Sequence, residues 1–392
     1  MTKVNPSITY INTEVLKAVT RLESTLLDRM QKLVEIESPS DGKAEVDQCV
    51  AAAAEMGAAL GARVRRHRQR AFGDVLELRF SAPASRRGGD RPLLLLGHLD
   101  TVWPVGTLRN MPFRIADGRA WGPGTLDMKA GVAMGLTAIE ALRECGALRR
   151  PAVMLLNSDE EVGSTVSRPI TERLARECEA VFVLEPAQGL EGAYKTARKG
   201  VGNYTLRVQG AASHAGVDFE RGHSAVYELA HQLERVREFT ELERGLTVNA
   251  GVVRGGTRTN VVAAEAEAEI DVRIARAKDA ARIERRMRGL RVRDRGCVLT
   301  IQGGMNRPPM ERSRGTVALF RRAATLAGEL GFALSEAATG GGSDGNFTAA
   351  LGVPTLDGMG AVGEGAHASH ESVVLRELVP RTALLAEMIR TP

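Results

Sequence analysis

The stretch Leu93-Leu94-Leu95-Leu96-Gly97-His98-Leu99-Asp100 decides the fold, because a continuous apolar run of this kind is typical of a strand buried on both faces. The run ends in an imidazole and a carboxylate. Three further segments also place acidic side chains at the end of an apolar run: Gly122-Pro-Gly-Thr-Leu-Asp127-Met128-Lys129, Leu155-Leu156-Asn-Ser-Asp159-Glu160-Glu161-Val-Gly163 and Val181-Phe-Val-Leu-Glu185-Pro186. Isolated carboxylates are costly to desolvate unless a cation compensates them. These segments therefore predict a shared metal centre, and oxygen ligands mixed with imidazole suit zinc or a similar divalent ion.

Strands and helices alternate around these segments. Apolar periodicity predicts helices over residues 14–36, 45–60, 131–145 and 170–177, and strands over 75–80, 93–96, 152–156 and 180–184. The alternation predicts an α/β fold with a mostly parallel sheet covered by helices. Ligands of such sheets collect beyond the carboxyl ends of the strands, which is where the acids and His98 lie.

The pattern changes after residue 199. Strands predicted at 204–208, 247–253, 264–274 and 298–301 and helices at 224–236 and 277–289 follow the order βαββαβ, which fits an inserted ferredoxin-like α+β domain. Beyond residue 312, a helix at 317–330, a strand at 355–359 and a final helix resume the first pattern. We therefore expect a catalytic domain in two parts, residues 1–198 and 307–392, interrupted by an insert at 199–306.

Composition bounds the class of protein. The 392 residues are 43% hydrophobic and 26% charged, which is ordinary for a globular protein of two domains. The net charge of +5 comes from dispersed arginines with no nucleic-acid motif, so no nucleic-acid partner is expected. The four cysteines are far apart and predict free, buried thiols in a reducing compartment. With no signal-like N-terminus and no membrane-length apolar run, we expect a cytoplasmic protein without a membrane partner.

The side chains at the strand ends are expected to have different tasks. His98 and Asp100 share one side of an extended segment, so the imidazole can bind a metal while the carboxylate orients it; a surface turn is the alternative. Asp127 is either a turn residue or a bridge between two ions. Glu160 and Glu161 point in different directions, so one can bind metal while the other acts as general base. A solvated pair is the ordinary alternative, but this pair directly follows an apolar strand.

Two segments near the C-terminus are also candidates. His367 and His370 are spaced so that either could bind a metal. The glycines of Gly340-Gly341-Gly342-Ser343-Asp344-Gly345 form a nest suited to an anion such as a carboxylate. The same residues match the Gly-x-Ser-x-Gly pattern of serine hydrolases, which requires a strand directly before the serine. Residues 335–339 make a poor strand, so the sequence favours the anion nest.

The insert carries four further candidates. His214 follows a strand in a loop of small residues, where a histidine is ordinarily structural or exposed. Asn260 supplies an amide donor at a glycine-rich turn that is otherwise a hairpin. Arg273 and Arg307 are candidate carboxylate clamps, since a guanidinium pairs with a carboxylate through two hydrogen bonds.

Taken together, the motifs resemble those of the M20 family of metallopeptidases, and within it the glutamate carboxypeptidase (carboxypeptidase G2-like) group. The resemblance runs from about residue 22 to residue 388. It rests on these segments: Gly97-His98-Leu99-Asp100-Thr101-Val102-Trp103-Pro104, Gly122 to Gly131, Asp159-Glu160-Glu161-Val-Gly163, Ser213-His214-Ala215-Gly216, Gly342-Ser343-Asp344 and Gly365-Ala366-His367.

The resemblance implies a zinc-peptidase-like catalytic domain holding two Zn²⁺ ions, or similar ions such as Co²⁺ or Mn²⁺. Asp127 would bridge the two ions. The first ion would also be bound by His98 and Glu185, and the second by Glu161 and His367. His370 is the alternative to His367 if the motif match is shifted.

The resemblance also implies the remaining roles. Asp100 would support His98, and Glu160 would be the general base and acid. Such proteins typically dimerise through the insert, and His214 of one subunit would then join Asn260 in stabilising the oxyanion at the other subunit's site. The substrate carboxylate would be held by residues of this group: Arg273, Arg307, Gly341 and Gly342.

We therefore expect a homodimeric metal-dependent hydrolase that releases a C-terminal amino acid, glutamate or similar, from a peptide or N-acyl amino acid. An N-acyl amino acid deacylase or a dipeptidase of the same family is the alternative. A metal-binding scaffold protein without activity is disfavoured, because the general base and every ligand position are filled.

Overall fold

The computed structural model describes residues 13–82 and 91–390, so residues 1–12, 83–90 and 391–392 of the predicted catalytic domain lie outside the described part of the chain. The chain divides into two compact units. The first comprises Met1–Thr196, Arg312–Ala338 and Ser343–Pro392, and the second comprises Ala197–Glu311 with Thr339–Gly342. The second unit thus extends slightly beyond residues 199–306 at both ends, and it takes in part of the glycine-rich segment.

The helices and strands are numbered in chain order. The helices are α1 (Glu14–Arg21), α2 (Glu23–Val34), α3 (Lys43–Ala59), α4 (Ala130–Glu144), α5 (Arg168–Glu177), α6 (Ala225–Arg237), α7 (Lys278–Arg288), α8 (Arg314–Glu329), α9 (Gly345–Ala350) and α10 (Leu375–Arg390). The strands are β1 (Arg63–His67), β2 (Val75–Phe80), β3 (Leu93–His98), β4 (Arg114–Ala116), β5 (Arg119–Trp121), β6 (Ala152–Asn157), β7 (Ala180–Val183), β8 (Tyr194–Arg198), β9 (Gly200–Gln209), β10 (Thr247–Gly255), β11 (Glu265–Ile274), β12 (Val298–Arg307), β13 (Glu336–Thr339), β14 (Thr355–Leu356), β15 (Gly363–Glu364) and β16 (Ser372–Val374).

Six strands of the first unit form a sheet in the order β1-β2-β6-β3-β7-β14. Strands β6, β3, β7 and β14 run parallel, and the antiparallel strands β2 and β1 complete one edge. Every residue of β3, β6 and β7 is buried. The predicted α/β fold with a mostly parallel, covered sheet is therefore confirmed.

The apolar run of β3 is buried because helices cover both faces of the sheet. Leu93 and Leu95 belong to the core on the face covered by α3, α4 and α10, whereas Leu94 and Leu96 belong to the core against α5. Each fully buried leucine contributes roughly 1.5–3 kcal/mol. The two cores fix the strand between them, so its end at His98 is held in place.

A second sheet of the first unit has the order β15-β16-β5-β4. Strand β16 pairs antiparallel with both β15 and β5. The segment containing Asp127 follows β5, and the loop containing His367 joins β15 to β16. This small sheet therefore brings together two loops that are far apart in sequence.

The second unit is an antiparallel sheet in the order β10-β11-β9-β12 with helices α6 and α7. Its elements follow the predicted order, β9-α6-β10-β11-α7-β12. Strands β9 and β11 alternate buried and more exposed residues, and their buried side chains form one core with residues of both helices. A sheet with one packed face produces this alternation.

Three predicted elements differ in the structure. The helix predicted over 14–36 is two helices, because the backbone leaves helical geometry at Leu22 (φ −90°, ψ 7°) while the apolar period continues. The strand predicted over 355–359 is reduced to β14. Residues 336–339, predicted to be a poor strand, form β13 and pair with β8, so tertiary pairing overrides a weak local preference here.

Two properties of the whole chain complete the description. All four cysteines, Cys49, Cys145, Cys178 and Cys297, are free, and three of them are buried. Burial raises the pKa of the Cys178 thiol to about 12. Among residues 13–82 and 91–390, the helices are too short or too polar to span a bilayer.

Candidate metal centre

The predicted metal ligands of the first unit come from strand ends and from two loops. His98 is the last residue of β3, Glu161 lies in the loop after β6, and Glu185 follows β7. Because β6, β3 and β7 are parallel neighbours, their carboxyl ends meet at one edge of the sheet. Asp127 and His367 reach the same place from the segment after β5 and from the β15–β16 loop.

The two carboxylate oxygens of Asp127 face different histidines. Oδ1 lies 3.2 Å from Nε2 of His98, and Oδ2 lies 3.4 Å from Nε2 of His367. Nε2 of His98 is also 3.5 Å from Oε1 of Glu185, and Nε2 of His367 is 3.2 Å from a carboxylate oxygen of Glu161. The structure thus brings all five predicted ligands into one cluster, with Asp127 between two halves.

These residues fit a pair of divalent ions by their chemistry and by their spacing. Two groups have donor atoms that all lie within 4.8 Å of one another: His98, Asp127 and Glu161, and His98, Glu160 and Glu185. Imidazole nitrogen and carboxylate oxygen are the donors that zinc and similar ions take.

The acids of the cluster keep both histidines protonated when no cation is present. Burial lowers the pKa of His98, but its hydrogen bonds to Asp100, Asp127 and Glu185 hold that pKa well above the ordinary value. Asp127 and Glu161 raise the pKa of His367 to about 10. Burial works against ionisation of Asp127, yet its two histidine partners lower its pKa overall. A divalent ion would take the place of these protons.

Asp100 connects His98 to the loop that carries the glutamates. Nδ1 of His98 lies 2.9 Å from the backbone carbonyl oxygen of Asp100 and 3.5 Å from its carboxylate. The Asp100 carboxylate accepts hydrogen bonds from the backbone N–H groups of Glu160 (3.2 Å) and Glu161 (3.1 Å) and from the Ser40 hydroxyl (2.7 Å). Fully buried Asp100 therefore fixes both neighbours of the cluster at once.

The loop of His367 adopts an uncommon backbone conformation. His367 has a φ of 63°, in the left-handed region that favours glycine. Strained residues of this kind persist where the surrounding structure holds them, often at functional sites. His370, the other predicted candidate, instead lies with its ring close to Gly365.

Sequence reasoning gave no role to Ser40 or to Glu371. Ser40 donates to Asp100, and the Glu371 carboxylate accepts from three backbone N–H groups of the Asp127 segment. The only available signal was that Glu371 follows His367 by four residues. A peptide bond of the same segment, between Asp127 and Met128, is cis.

In the second unit, His214 and Asn260 lie next to each other. The backbone N–H of Ala215 donates to the carbonyl of Asn260 (3.0 Å), and His214 forms a β-bridge with Val261. Both His214 and Asn260 are exposed. The structure therefore presents this pair at the surface of the second unit.

The predicted substrate-binding residues also lie together in the second unit. Arg273 donates to the Gly340 carbonyl (3.3 Å) and is ion-paired with Asp271 at 2.8 Å. A Cβ at Gly342 would lie 2.9 Å from Cδ of Arg307, so the buried Arg307 packs directly against the glycine segment. Arg198, which sequence reasoning did not single out, donates to the carbonyls of Gly341 (3.4 Å) and Gly342 (3.1 Å).

Ser343 does not have the surroundings of a serine nucleophile. Strand β13 does precede it closely, contrary to the sequence-based expectation. Its buried hydroxyl, however, donates to Oδ2 of Asp357 (2.6 Å) and accepts from the backbone N–H of Gly345 (3.1 Å). An acid, rather than the imidazole that activates a serine, lies on the hydroxyl.

A sheet of this topology with a carboxylate and imidazole cluster beyond its parallel strands is typical of metal-dependent hydrolases. The chain belongs to peptidase family M20/M25/M40, whose model matches residues 94–391. This confirms the family predicted from the motifs. The protein is thus a hydrolase of the metallopeptidase class, and these enzymes use divalent metal ions.

Individual relatives agree with this assignment. The chain is 29% identical to carboxypeptidase G2 of Pseudomonas sp. (strain RS-16) over 379 residues, which cover 94% of this chain and 89% of that protein. Its fold matches the crystal structure of aminopeptidase PepT from Bacillus cereus with a TM-score of 0.75 at 23% identity, covering 94% and 98% of the two chains. An M20 family metallo-carboxypeptidase from Sulfolobus solfataricus also gives 0.75, at 16% identity and 93% and 98% coverage.

Proposed function

We propose that this protein is a di-zinc hydrolase that cleaves an amide bond and releases a C-terminal amino acid, glutamate or a similar residue, from a peptide or an N-acyl amino acid. The observation that carries the proposal is the position of Asp127, whose two oxygens face two separate histidines. A carboxylate placed in this way suits a bridge between two ions. The similarity to carboxypeptidase G2 supports the direction of cleavage.

In the proposed centre, His98 and Glu185 hold the first ion together with Asp127. Glu161 and His367 hold the second ion together with the other oxygen of Asp127. Asp100 keeps the His98 ring oriented through its contact with Nδ1. Co²⁺ or Mn²⁺ would suit the same donors.

Glu160 is the proposed general base. When bound, the ions lower the pKa of a water molecule and polarise the scissile carbonyl. Glu160 takes the proton of the attacking water and passes it to the leaving nitrogen. Its backbone N–H is held by Asp100, which gives its carboxylate a fixed origin next to the cluster.

His214 and Asn260 are the proposed oxyanion donors. We place them at the site of the second subunit of a homodimer that forms through the second unit, and their exposed positions support this role. Donors of this kind contribute roughly 2.7–4 kcal/mol each to transition-state stabilisation.

The proposed carboxylate site consists of Arg307, Arg273 and the segment Gly341–342. Arginines pair with carboxylates through two parallel hydrogen bonds, and a glycine nest presents backbone N–H groups to an anion. A free carboxylate on the substrate would then fix which amide bond lies at the metals.

The test is a substrate panel run on the purified protein, combined with elemental analysis. We expect about two zinc equivalents per chain, and turnover of an N-acyl-glutamate above that of an N-acetyl amino acid or a dipeptide. Exhaustive chelation should abolish turnover, and added Zn²⁺ should restore it. Faster turnover of either comparison substrate would instead favour the deacylase or the dipeptidase, and full activity after chelation would refute a metal mechanism.

A further inference from the structure

Glu371 lies between two loops of the metal centre and is fully buried. Its carboxylate accepts four hydrogen bonds. Oε1 accepts from the backbone N–H groups of Leu126 (2.9 Å) and Asp127 (3.0 Å), and Oε2 accepts from the backbone N–H of Gly124 (2.9 Å) and from Nε1 of Trp103 (2.8 Å). An ionised carboxylate is an acceptor only, so this arrangement uses Glu371 in its charged form.

The Asp127 segment depends on these bonds because it departs from helical geometry. Residues Thr125–Lys129 form a short helical turn, but Asp127 (φ −113°, ψ 94°) and Met128 (φ −134°, ψ 34°) have non-helical dihedral angles. The first N–H groups of a helix also have no partner within the helix. The carboxylate of Glu371 supplies the partner for three of the four N–H groups from 124 to 127.

The main chain of Glu371 also closes the loop of His367. The N–H of Glu371 donates to the carbonyl of Ala368 (2.9 Å), and the N–H of Ala368 donates to the carbonyl of Gly365 (2.8 Å). His367 lies inside this closed loop, with its φ of 63°. One residue therefore holds the backbone of both histidine-side partners, Asp127 by its carboxylate and His367 by its main chain.

We infer that Glu371 is a positioning residue that fixes the backbone of Asp127 so that its two oxygens face the two ion positions. This inference rests on the proposed function, since it assigns the bridge to Asp127. Glu371 touches no other acid or imidazole of the cluster in the contacts above; it acts through the N–H groups. Loss of its charge therefore weakens metal binding without removing a ligand.

A role in folding alone makes a different prediction. A buried acid that merely caps backbone N–H groups would lower the stability of the protein when changed, but it would leave metal affinity as it was. Glu228 provides the matched control. It is also buried and also accepts from backbone N–H groups, those of Arg293 and Asp294, but it lies in the second unit.

The experiment is a Co²⁺ titration of metal-free full-length protein against a competing chelator. For Glu371→Gln, whose amide would oppose the N–H donors, we expect Co²⁺ affinity to fall about 10- to 100-fold, as for other residues that orient ligands. Glu228→Gln should bind Co²⁺ like the wild type even if it melts earlier. Wild-type affinity in Glu371→Gln would overturn the inference, whereas a wild type that binds no Co²⁺ would overturn the proposed function itself.

A milder variant covers the case in which Glu371→Gln does not fold. Trp103→Phe removes one of the four donors, and the loss of one hydrogen bond corresponds to about a 2- to 10-fold change in an equilibrium constant. We expect Co²⁺ affinity to fall within that range. Unchanged affinity in a folded Trp103→Phe protein would overturn the inference.

Discussion

Glu160 and Glu161 are adjacent, and both donate a backbone N–H to Asp100, yet their side chains have different neighbours. Glu161 contacts His367, whereas Glu160 groups with His98 and Glu185. The strand end and the Asp100 carboxylate fix the backbone, so the two side chains diverge from one origin. Two acids of the same type can then serve as a ligand and as a base.

Separate substitutions test this division of roles. In Glu160→Gln we expect kcat to fall by at least about 100-fold, because the proton acceptor is lost, while bound zinc stays at the wild-type level. In the neighbouring Glu161→Gln we expect zinc content and activity to fall together. Elemental analysis alongside initial rates makes the distinction. Lost zinc in Glu160→Gln would show that this residue is a ligand instead.

The raised pKa values of His98 and His367 predict how metal binding depends on pH. At pH 7.5 both imidazoles are protonated in the metal-free protein, since their pKa values lie above that pH and that of His367 is about 10. An ion can bind only by displacing these protons, so affinity weakens as the pH falls. Calorimetric titration with Zn²⁺ in buffers of different ionisation enthalpy should therefore show proton release.

The His367→Ala variant provides the control for that titration. It should release about one proton fewer than the wild type at pH 7.5, because one displaced proton is absent. Identical heats in all buffers would contradict protonated histidines in the metal-free state.

At this scale, the sequence indicated the residues of the cluster but not those that hold it. His98, Asp127 and Glu185 were predictable because acids and imidazole at the ends of buried strands are costly without a cation. Glu371 was not, because a carboxylate that accepts backbone N–H groups leaves no periodic pattern in the sequence. Its partners lie more than 200 residues away and meet it only through the small sheet of β5 and β16.

Among the elements, the start of helix α4 packs very closely against the end of β7. A Cβ at Gly131 would lie 2.0 Å from the carbonyl oxygen of Leu184. Leu184 directly precedes Glu185, and Gly131 lies four residues after Asp127. The absence of a side chain at position 131 therefore lets two parts of the metal centre approach each other.

Alanine substitutions at two helical glycines test this packing. We expect Gly131→Ala to destabilise the protein by roughly 1–3 kcal/mol, because a backbone atom occupies the position of the new methyl group. Gly328 in α8 is the matched control, since a Cβ there meets nothing within 4 Å. Gly328→Ala should be neutral or stabilise by up to about 1 kcal/mol. Urea unfolding of the metal-free proteins measures both, and equal stabilities would contradict the close approach.

The elements differed in how well the sequence predicted them. Strands β3, β6 and β7 were found because their residues are apolar throughout, as burial on both faces requires. The break at Leu22 was missed because the apolar residues of α1 and α2 continue with helical spacing across it. Strand β13 was missed because its residues are mostly small or polar and its existence depends on pairing with β8.

For the whole molecule, the proposed machinery is divided between the two units. The five proposed ligands and Glu160 belong to the first unit, whereas His214, Asn260, Arg273 and Arg307 belong to the second. The similarity to carboxypeptidase G2 extends over 94% of the chain and so includes both units. A division of this kind makes exchange of residues between subunits testable by genetics alone.

Complementation between two inactive variants tests the proposed dimer and its shared site. His214→Ala lacks the oxyanion donor but keeps the base, and Glu160→Gln lacks the base but keeps the donor. In a mixed dimer with exchange of His214, one of the two sites has both residues, so random pairing of equal amounts should give about a quarter of wild-type activity. Co-expression with two different affinity tags allows the mixed dimer to be isolated and assayed. The pair Glu160→Gln with Glu161→Gln is the control, since both residues lie in the same unit and should not complement. If the mixed dimer has only the summed activity of its parents, His214 does not act in the partner's site, and if no mixed dimer is recovered, the chains do not pair.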